Sequence, residues 1–180
     1  MLPKTKIVIV GGGSYNWSPR LLCDLVQTPE LENSEVVLLD INLTAAKEVK
    51  AAIDRICSDN KKKFRFTATG NEEKAFKDAD FIIITISTGG LDMMQHDIEI
   101  PERYGIYQAV GDTSGPSGWS RLLRNVPVFE KMIRKIERLA PNAVIMNYTN
   151  PMSGLTGAIC ATSSLRTVGL CHGVMAQSIT

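Results

Sequence analysis

The sequence predicts an α/β protein with a doubly wound, mainly parallel sheet and helices on both faces. Two observations predict this class. Apolar, strand-like runs alternate with stretches of helical spacing along the chain. The most apolar run, residues 81–86, shows no polar alternation, as expected of a central strand that is covered on both sides. With 180 residues and 44% hydrophobic content, the chain is large enough to bury such a core.

The first half of the chain begins with two βα units. Residues 6–10 are a β-branched run that ends in glycines, and residues 19–27 carry apolar side chains at helical spacing. Residues 35–39 are the next apolar run, and residues 43–57 again place alanine, valine and isoleucine on one helical face. The order of these segments predicts parallel neighbouring strands.

The second half contains the central strand and the longest predicted helix. A single apolar stripe at helical spacing covers residues 122–139. Short apolar runs on either side of a helical segment predict two final strands. In chain order, the remaining elements are a strand at 64–68, a short helix at 72–76, the strand at 81–86, a strand at 143–146, a helix at 151–161 and a strand at 167–169.

Residues 87–121 have weak periodicity, and we predict an irregular segment there. Long irregular segments in compact domains are usually functional or mobile. Asp112 is the preferred candidate in this segment, because the glycine-rich run 111–118 can bring its carboxylate close to a ligand. The other charged residues are expected to be mostly solvated: Asp92, His96, Asp97, Glu99, Glu102 and Arg103.

The charge balance excludes two classes of partner. The formal charge is +1, from 20 basic and 19 acidic residues, which gives no reason to expect a nucleic acid or an anionic membrane. No apolar run approaches the roughly 18 residues of a membrane span, and the first residues lack an apolar targeting region. The four cysteines show no CxxC spacing, which suits reduced thiols. We therefore expect a cytoplasmic protein.

A glycine motif follows the first strand. Gly11, Gly12, Gly13 and Ser14 lie between that strand and the next helix, and Gly11 and Gly13 match the first two glycines of a dinucleotide-binding fingerprint. Such a turn lets a pyrophosphate approach the helix N-terminus. Asn16 stands where the third glycine is usual. The motif predicts a Rossmann-like nucleotide site, and a glycine turn of any α/β protein is the alternative.

Two further residues extend the predicted cofactor site. Asp40 follows the second strand, where an acid hydrogen-bonds the ribose hydroxyls and disfavours a 2′-phosphate, so NAD is expected over NADP. The alternative is that Asp40 only caps a turn or the following helix. Thr88 follows the central strand and is expected near the nicotinamide half.

Polar residues also follow the last two strands. Asn147 and Asn150 lie at the carboxyl end of a strand, where ligands bind in open α/β sheets, although Asn150 before Pro151 equally suits a helix start. Cys171 and His172 could share a metal only if the backbone turns between them. Two residues are too few for a metal site, so other ligands would be needed. A structural role is the alternative for this pair.

Taken together, these motifs resemble glycoside hydrolase family 4. The resemblance covers essentially the whole chain, and residues 91–94, 101–108 and 110–113 look most like the α-galacturonidase branch. Ser117 departs from the pattern, because a glycine is usual there. The motifs that carry the resemblance are Gly11-Gly12-Gly13-Ser14, Ile100-Pro101-Glu102-Arg103-Tyr104-Gly105-Ile106, Gly111-Asp112-Thr113 with Gly115-Pro116, Asn147-Tyr148-Thr149-Asn150-Pro151 and Gly169-Leu170-Cys171-His172-Gly173.

The resemblance implies a glycosidase that depends on NAD and on Mn²⁺ or another divalent metal, outside the usual two-carboxylate mechanism. It implies transient oxidation at sugar C3, elimination of the aglycone, addition of water and reduction. Cys171 would be a metal ligand, Asn150 would contact sugar hydroxyls, and Asp112 or His172 would act in polar or proton-transfer roles. Arg103 is a candidate partner by charge for the carboxylate of a galacturonide substrate.

The resemblance also implies a longer protein. The family pattern places a second metal-binding histidine and a tyrosine base beyond residue 180. We therefore expect residues 1–180 to form the NAD-binding domain with the first part of the catalytic site, a catalytic or substrate domain to lie outside this chain, and the isolated chain to lack turnover. The full-length form is expected to be a homo-oligomer. The alternatives are a lactate or malate dehydrogenase-type oxidoreductase and a non-catalytic NAD-binding module.

Overall fold

The computed structural model describes residues 4–171, and it contains one six-stranded sheet. The strand order is β3-β2-β1-β4-β5-β6, and the pairings between these described strands are all parallel. The doubly wound architecture predicted from the sequence is therefore confirmed. The strands are β1 Lys6–Val10, β2 Glu35–Leu39, β3 Arg65–Thr69, β4 Phe81–Ile84, β5 Val144–Asn147 and β6 Arg166–Gly169.

Helices connect the strands, and asparagines begin two of them. Asn42 accepts a hydrogen bond from the Ala45 backbone N–H at 3.1 Å, and Asn71 accepts one from Lys74 N–H at 2.9 Å, as N-cap residues do. Within residues 4–171 no helix is long and apolar enough to cross a membrane. The helices are α1 Trp17–Gln27, α2 Leu43–Asp59, α3 Glu72–Phe76, α4 Gly90–Glu102, α5 Gly115–Leu139 and α6 Met152–Thr162, with a 3-10 turn at Pro29–Leu31.

The sheet is covered on both faces by separate apolar clusters. Leu22 of α1 and Ile53 of α2 pack on one face with residues of β1 and β2. Phe129 and Ile133 of α5 and Leu155 of α6 pack on the other face. These five side chains are 0–2% exposed. Burial on both faces explains why the central strands lack a polar alternation.

The prediction of an irregular segment at residues 87–121 was wrong except at 87–89 and 103–114, which lie outside helices and strands. The segment contains α4 and the first part of α5. Among the residues of α4, all of which are described, Asp97 and Pro101 alone are buried, and Met94 and Ile98 are half-buried, so the helix has only a weak apolar stripe. The glycines at the start of α5 suggested a loop, but Pro116 lies in its first turn, where proline is tolerated.

Candidate cofactor and active site

The candidate site lies at the carboxyl edge of the sheet, beside the switch point between β1 and β4. The chain winds outward from β1 through β2 and β3, and then returns to build β4, β5 and β6 on the other side. In open α/β sheets, ligands bind at the crevice that this reversal creates. The turns that border it follow β1, β4, β5 and β6, which are the positions of the motifs found in the sequence.

The turn after β1 is packed so closely that it requires glycine. The backbone N–H groups of Gly11 and Gly12 both donate to the Leu39 carbonyl oxygen, at 2.9 and 3.0 Å. Gly11 has a φ of 88°, and a Cβ there would overlap the Thr85 carbonyl oxygen. A Cβ on Gly12 would lie 2.7 Å from the Leu38 Cα. The turn thus packs tightly between the ends of β2 and β4.

Asp40 holds this turn against α2. One carboxylate oxygen accepts a hydrogen bond from Gly13 N–H at 2.8 Å, and the other accepts one from Asn42 N–H at 2.8 Å. The turn-capping role weighed as the alternative for Asp40 is therefore present. Each carboxylate oxygen has a second lone pair. The structural role consequently leaves acceptor capacity for ribose hydroxyls.

Two backbone N–H groups at the start of α1 remain available for an anion. Within residues 4–171, the N–H groups of Tyr15 and Asn16 donate no hydrogen bond. By contrast, Gly13 N–H is used by a side chain, and the Ser14 hydroxyl accepts from Trp17 N–H at 3.2 Å. The predicted cofactor residues Gly11–Ser14 therefore shape the turn, while Tyr15 and Asn16 offer donors that the sequence analysis did not identify.

The turn after β4 is held by an ion pair between half-buried Arg124 and buried Asp97. The Thr88 carbonyl oxygen accepts from Arg124 Nε at 3.1 Å, and the Thr88 hydroxyl contacts Asn125. Arg124 also pairs with Asp97, which accepts from the Ser120 hydroxyl at 2.7 Å. Asp97 is the exception among the charged residues of this segment that were expected to be mostly solvated, because it is 6% exposed. Its burial is compensated by these polar contacts.

The pKa values of this pair reflect the same contacts. Burial by itself would raise the pKa of Asp97, but hydrogen bonds from Arg124 and Ser120, with the charges of Arg124 and Arg121, outweigh it and hold the pKa below its usual value. The hydrogen bond to Asp97 raises the pKa of Arg124, although burial opposes the shift. Both groups are therefore charged near neutral pH.

Arg121 brings two of the predicted site residues together. It forms an ion pair with Asp112 through Nη1, and its Nε donates to the Asn150 carbonyl oxygen at 3.2 Å. The sequence analysis missed both Arg121 and Arg124. Their spacing of three places them on one face of a helix shortly after the glycine-rich run, but it does not indicate their partners, which are distant in the sequence.

The loop after β5 is fixed by a buried asparagine. Asn147 is 0% exposed, and its side-chain nitrogen donates to the carbonyl oxygens of Thr149 and Met152, both at 3.3 Å, and to the Thr156 hydroxyl at 3.2 Å. Its side-chain oxygen accepts from Thr149 N–H at 2.9 Å. The Thr149 hydroxyl in turn accepts from Ile86 N–H at 3.0 Å. These contacts join the loops after β4 and β5.

Asn150 does not cap the helix that follows it. Helix α6 begins at Met152, its N-cap position is Pro151, and no side chain makes a cap hydrogen bond. The capping alternative for Asn150 was therefore wrong. In the described part of the chain the half-buried Asn150 side chain makes no hydrogen bond, so its amide is available to a ligand.

The remaining predicted residues are not brought into a cluster. Arg103 is exposed at the C-terminal end of α4. Cys171 is exposed two residues after β6, and His172 lies outside the described residues. Between residues 4 and 171 no group of three or more histidine, cysteine, aspartate or glutamate side chains could hold a metal ion. Cys171 alone does not form a metal site.

Comparison with known proteins identifies the family. A family model described as family 4 glycosyl hydrolase matches residues 6–179. An α-galacturonidase from Thermoanaerobacter italicus is 39% identical over 94% of this chain and 36% of its own length. An α-galactosidase from Rhizobium meliloti is also 39% identical, over 94% of this chain and 35% of its own length. The chain thus spans a little over a third of the length of these relatives.

A solved structure shows the same relationship. The 6-phospho-β-glucosidase from Thermotoga maritima, determined with manganese, NAD⁺ and glucose-6-phosphate, matches with a TM-score of 0.86 at 28% identity. The match covers 97% of this chain and 43% of that protein. Together with a family model that matches nearly every residue, it shows that this chain belongs to family 4 of the glycosyl hydrolases.

Proposed function

We propose that this chain is the NAD-binding domain of a family 4 glycosidase and carries the first part of its catalytic site. The observation that carries the proposal is the position of Arg121 at the carboxyl edge of the sheet. Arg121 forms an ion pair with Asp112 and also donates to the Asn150 carbonyl oxygen. Strands β1, β4 and β5 are neighbours in the sheet, so these groups and the glycine turn border one crevice.

The residues around the glycine turn fit NAD. The turn keeps side chains away from the crevice, and Tyr15 and Asn16 supply unpaired N–H groups at a helix N-terminus, which suits a pyrophosphate. Asp40 supplies acceptors for ribose hydroxyls and would repel a 2′-phosphate. Thr88 borders the other side of the switch point. Bound NAD would supply a hydride acceptor and donor for the sugar.

Asn150 and Asp112 are proposed to act on the sugar. The Asn150 amide can both donate to and accept from sugar hydroxyls. Asp112 presents a carboxylate, 28% exposed, that Arg121 orients and that can accept a hydrogen bond or a proton from a hydroxyl. His172 stays a candidate for proton transfer from the sequence pattern alone.

Cys171 is proposed as one ligand of a divalent metal, with manganese as the expected ion. A thiolate is a metal ligand in its own right, but a functional site needs further donors. The described part of the chain offers no such cluster, so those donors would come from other segments or from the substrate. In a full-length enzyme, Cys171→Ser is expected to abolish metal-dependent turnover while NAD binding is retained.

The proposed substrate is a small galacturonide. This choice rests on residues 91–94, 101–108 and 110–113, since the α-galacturonidase and the α-galactosidase are equally similar to this chain. Arg103, exposed directly after α4, is the proposed partner of the uronate carboxylate. A full-length enzyme should hydrolyse an α-galacturonide faster than the matching α-galactoside, and Arg103→Met should reduce that preference. We further propose a cytoplasmic, homo-oligomeric enzyme.

Calorimetry on the 180-residue chain tests the cofactor proposal. We expect NAD to bind, NADP to bind at least about tenfold more weakly, and Asp40→Asn to reduce the difference between them. We also expect no hydrolysis by this chain alone. No NAD binding would contradict the proposal, and net accumulation of NADH with a hydroxy acid would favour a dehydrogenase instead.

A further inference from the structure

Helix α4 contacts the domain through a buried charged residue as well as a short, partly buried apolar stripe. Asp97 and Pro101 are the buried residues among its thirteen, all of which are described, whereas Leu91 is 81% exposed. A surface helix normally docks through an apolar stripe. The stripe of α4 is weak, because Met94 and Ile98 are only half-buried, so the contact made by Asp97 contributes to where the helix lies.

The contact of Asp97 with α5 is specific in geometry. Arg124 Nη1 donates to one carboxylate oxygen at 3.1 Å, and Nη2 donates to the other. The Ser120 hydroxyl donates to the first oxygen at 2.7 Å. Such a two-point pairing fixes orientation as well as distance. Removing Arg124 leaves the buried Asp97 carboxylate with only the Ser120 hydroxyl among the described hydrogen-bond donors, which is costly, and removing Asp97 leaves the half-buried Arg124 without its carboxylate.

Arg124 also controls the turn between β4 and α4. Its Nε donates to the Thr88 carbonyl oxygen at 3.1 Å. The next residue, Gly89, has a φ of 85°, and a Cβ there would overlap Met93 of α4 and lie 3.3 Å from Arg124 Nε. The guanidinium group of Arg124 on α5 therefore contacts both the Thr88–Gly89 turn and Asp97 of α4.

This turn borders the switch point, because β4 pairs directly with β1. We propose that Asp97 and Arg124 are a positioning pair that holds the Thr88–Gly89 turn in the shape that NAD binding requires. NAD affinity then depends on an ion pair that anchors α4. The inference rests on the proposed function, since it presumes that this crevice binds NAD.

Three variants of the 180-residue chain test the pair: Asp97→Asn, Arg124→Gln and the double variant. Each single variant should weaken NAD binding in calorimetry at least about tenfold, and the double variant should bind no more weakly than the weaker single one. Hydrogen exchange should accelerate at residues 88–102 and stay unchanged in β1. The matched control is Glu130→Gln, which removes an exposed 3.9 Å pair with Arg134 and should change affinity less than about twofold.

The outcomes separate this inference from the proposed function. If the unmodified chain does not bind NAD, the proposed function fails and the inference fails with it. If it binds, and the variants exchange faster at residues 88–102 but keep the original affinity, the pair is only structural and the inference alone is overturned. Should Asp97→Asn not fold, Arg124→Lys preserves the charge without the two-point geometry. Unchanged NAD affinity in that variant overturns the inference equally.

Discussion

Two turns at the same edge of the sheet are held by different forces. The Gly11–Ser14 turn is fixed mainly by close steric approach to β2 and β4, whereas the Thr88–Gly89 turn, which also requires glycine beside Met93, is held by Arg124 and its buried partner Asp97. A turn that is held by close packing needs particular residues at consecutive positions. A turn that is held by an ion pair needs two opposite charges that meet in the folded structure and can be far apart in the sequence. The comparison explains why one turn was evident in the sequence and the other was not.

The largest effect is expected from a methyl group in the sterically held turn. Gly11→Ala must adopt a φ of 88° and must also displace the Thr85 carbonyl oxygen. We expect it to lower the free energy of unfolding by about 3 kcal/mol or more, through backbone strain and overpacking together. Urea unfolding followed by circular dichroism measures the change.

Gly90→Ala is the matched control for this experiment. Gly90 has a φ of 61°, but a Cβ there would have no heavy atom within 4 Å among the atoms that the structure describes. The control should cost only about 1 kcal/mol, from backbone strain alone. Equal losses in the two variants would show that strain, rather than close packing, fixes the first turn.

A smaller effect on stability is expected from loss of the ion pair between Arg121 and Asp112. Arg121→Met leaves Asp112 without its partner and removes the hydrogen bond to the Asn150 carbonyl group. Because Asp112 is 28% exposed, water replaces part of the interaction, and we expect a loss of about 1–2 kcal/mol. Limited proteolysis should also cleave more rapidly within residues 103–113.

Arg134→Met serves as the reference for that variant. Arg134 is 77% exposed and lies 3.9 Å from Glu130, so its removal should cost less than about 0.5 kcal/mol. If both arginine variants lose the same stability, Arg121 has no special role in joining the loops.

The same distinction explains which parts of the molecule the sequence predicted. Strands and the glycine turn leave local patterns, and the position of Asp40 after β2 follows from them. The pair of Asp97 with Arg124 joins residues 27 positions apart and leaves no period in the sequence. Helix α4 was missed because its apolar stripe is weak and its buried contact with α5 uses a charge. The role of Arg121 likewise depends on two distant loops, those of Asp112 and Asn150.

The smallest expected effect is a reversible, local response to acid. The folded-state pKa of Asp97 is lowered, so its contribution to stability is complete above the unfolded-state value of about 3.9 and is lost as pH falls through the lower folded value. The pKa of Arg124, which pairs with it, is raised, so this partner stays protonated throughout and does not offset the loss. After correction for intrinsic rates, hydrogen exchange at residues 90–102 should therefore accelerate below about pH 4, while exchange in the apolar strand β1 responds less.

Asp97→Asn should remove this step, because an amide does not titrate in that range. A step that persists in the variant would assign the response to other carboxylates and would remove the ionic explanation for how α4 is held.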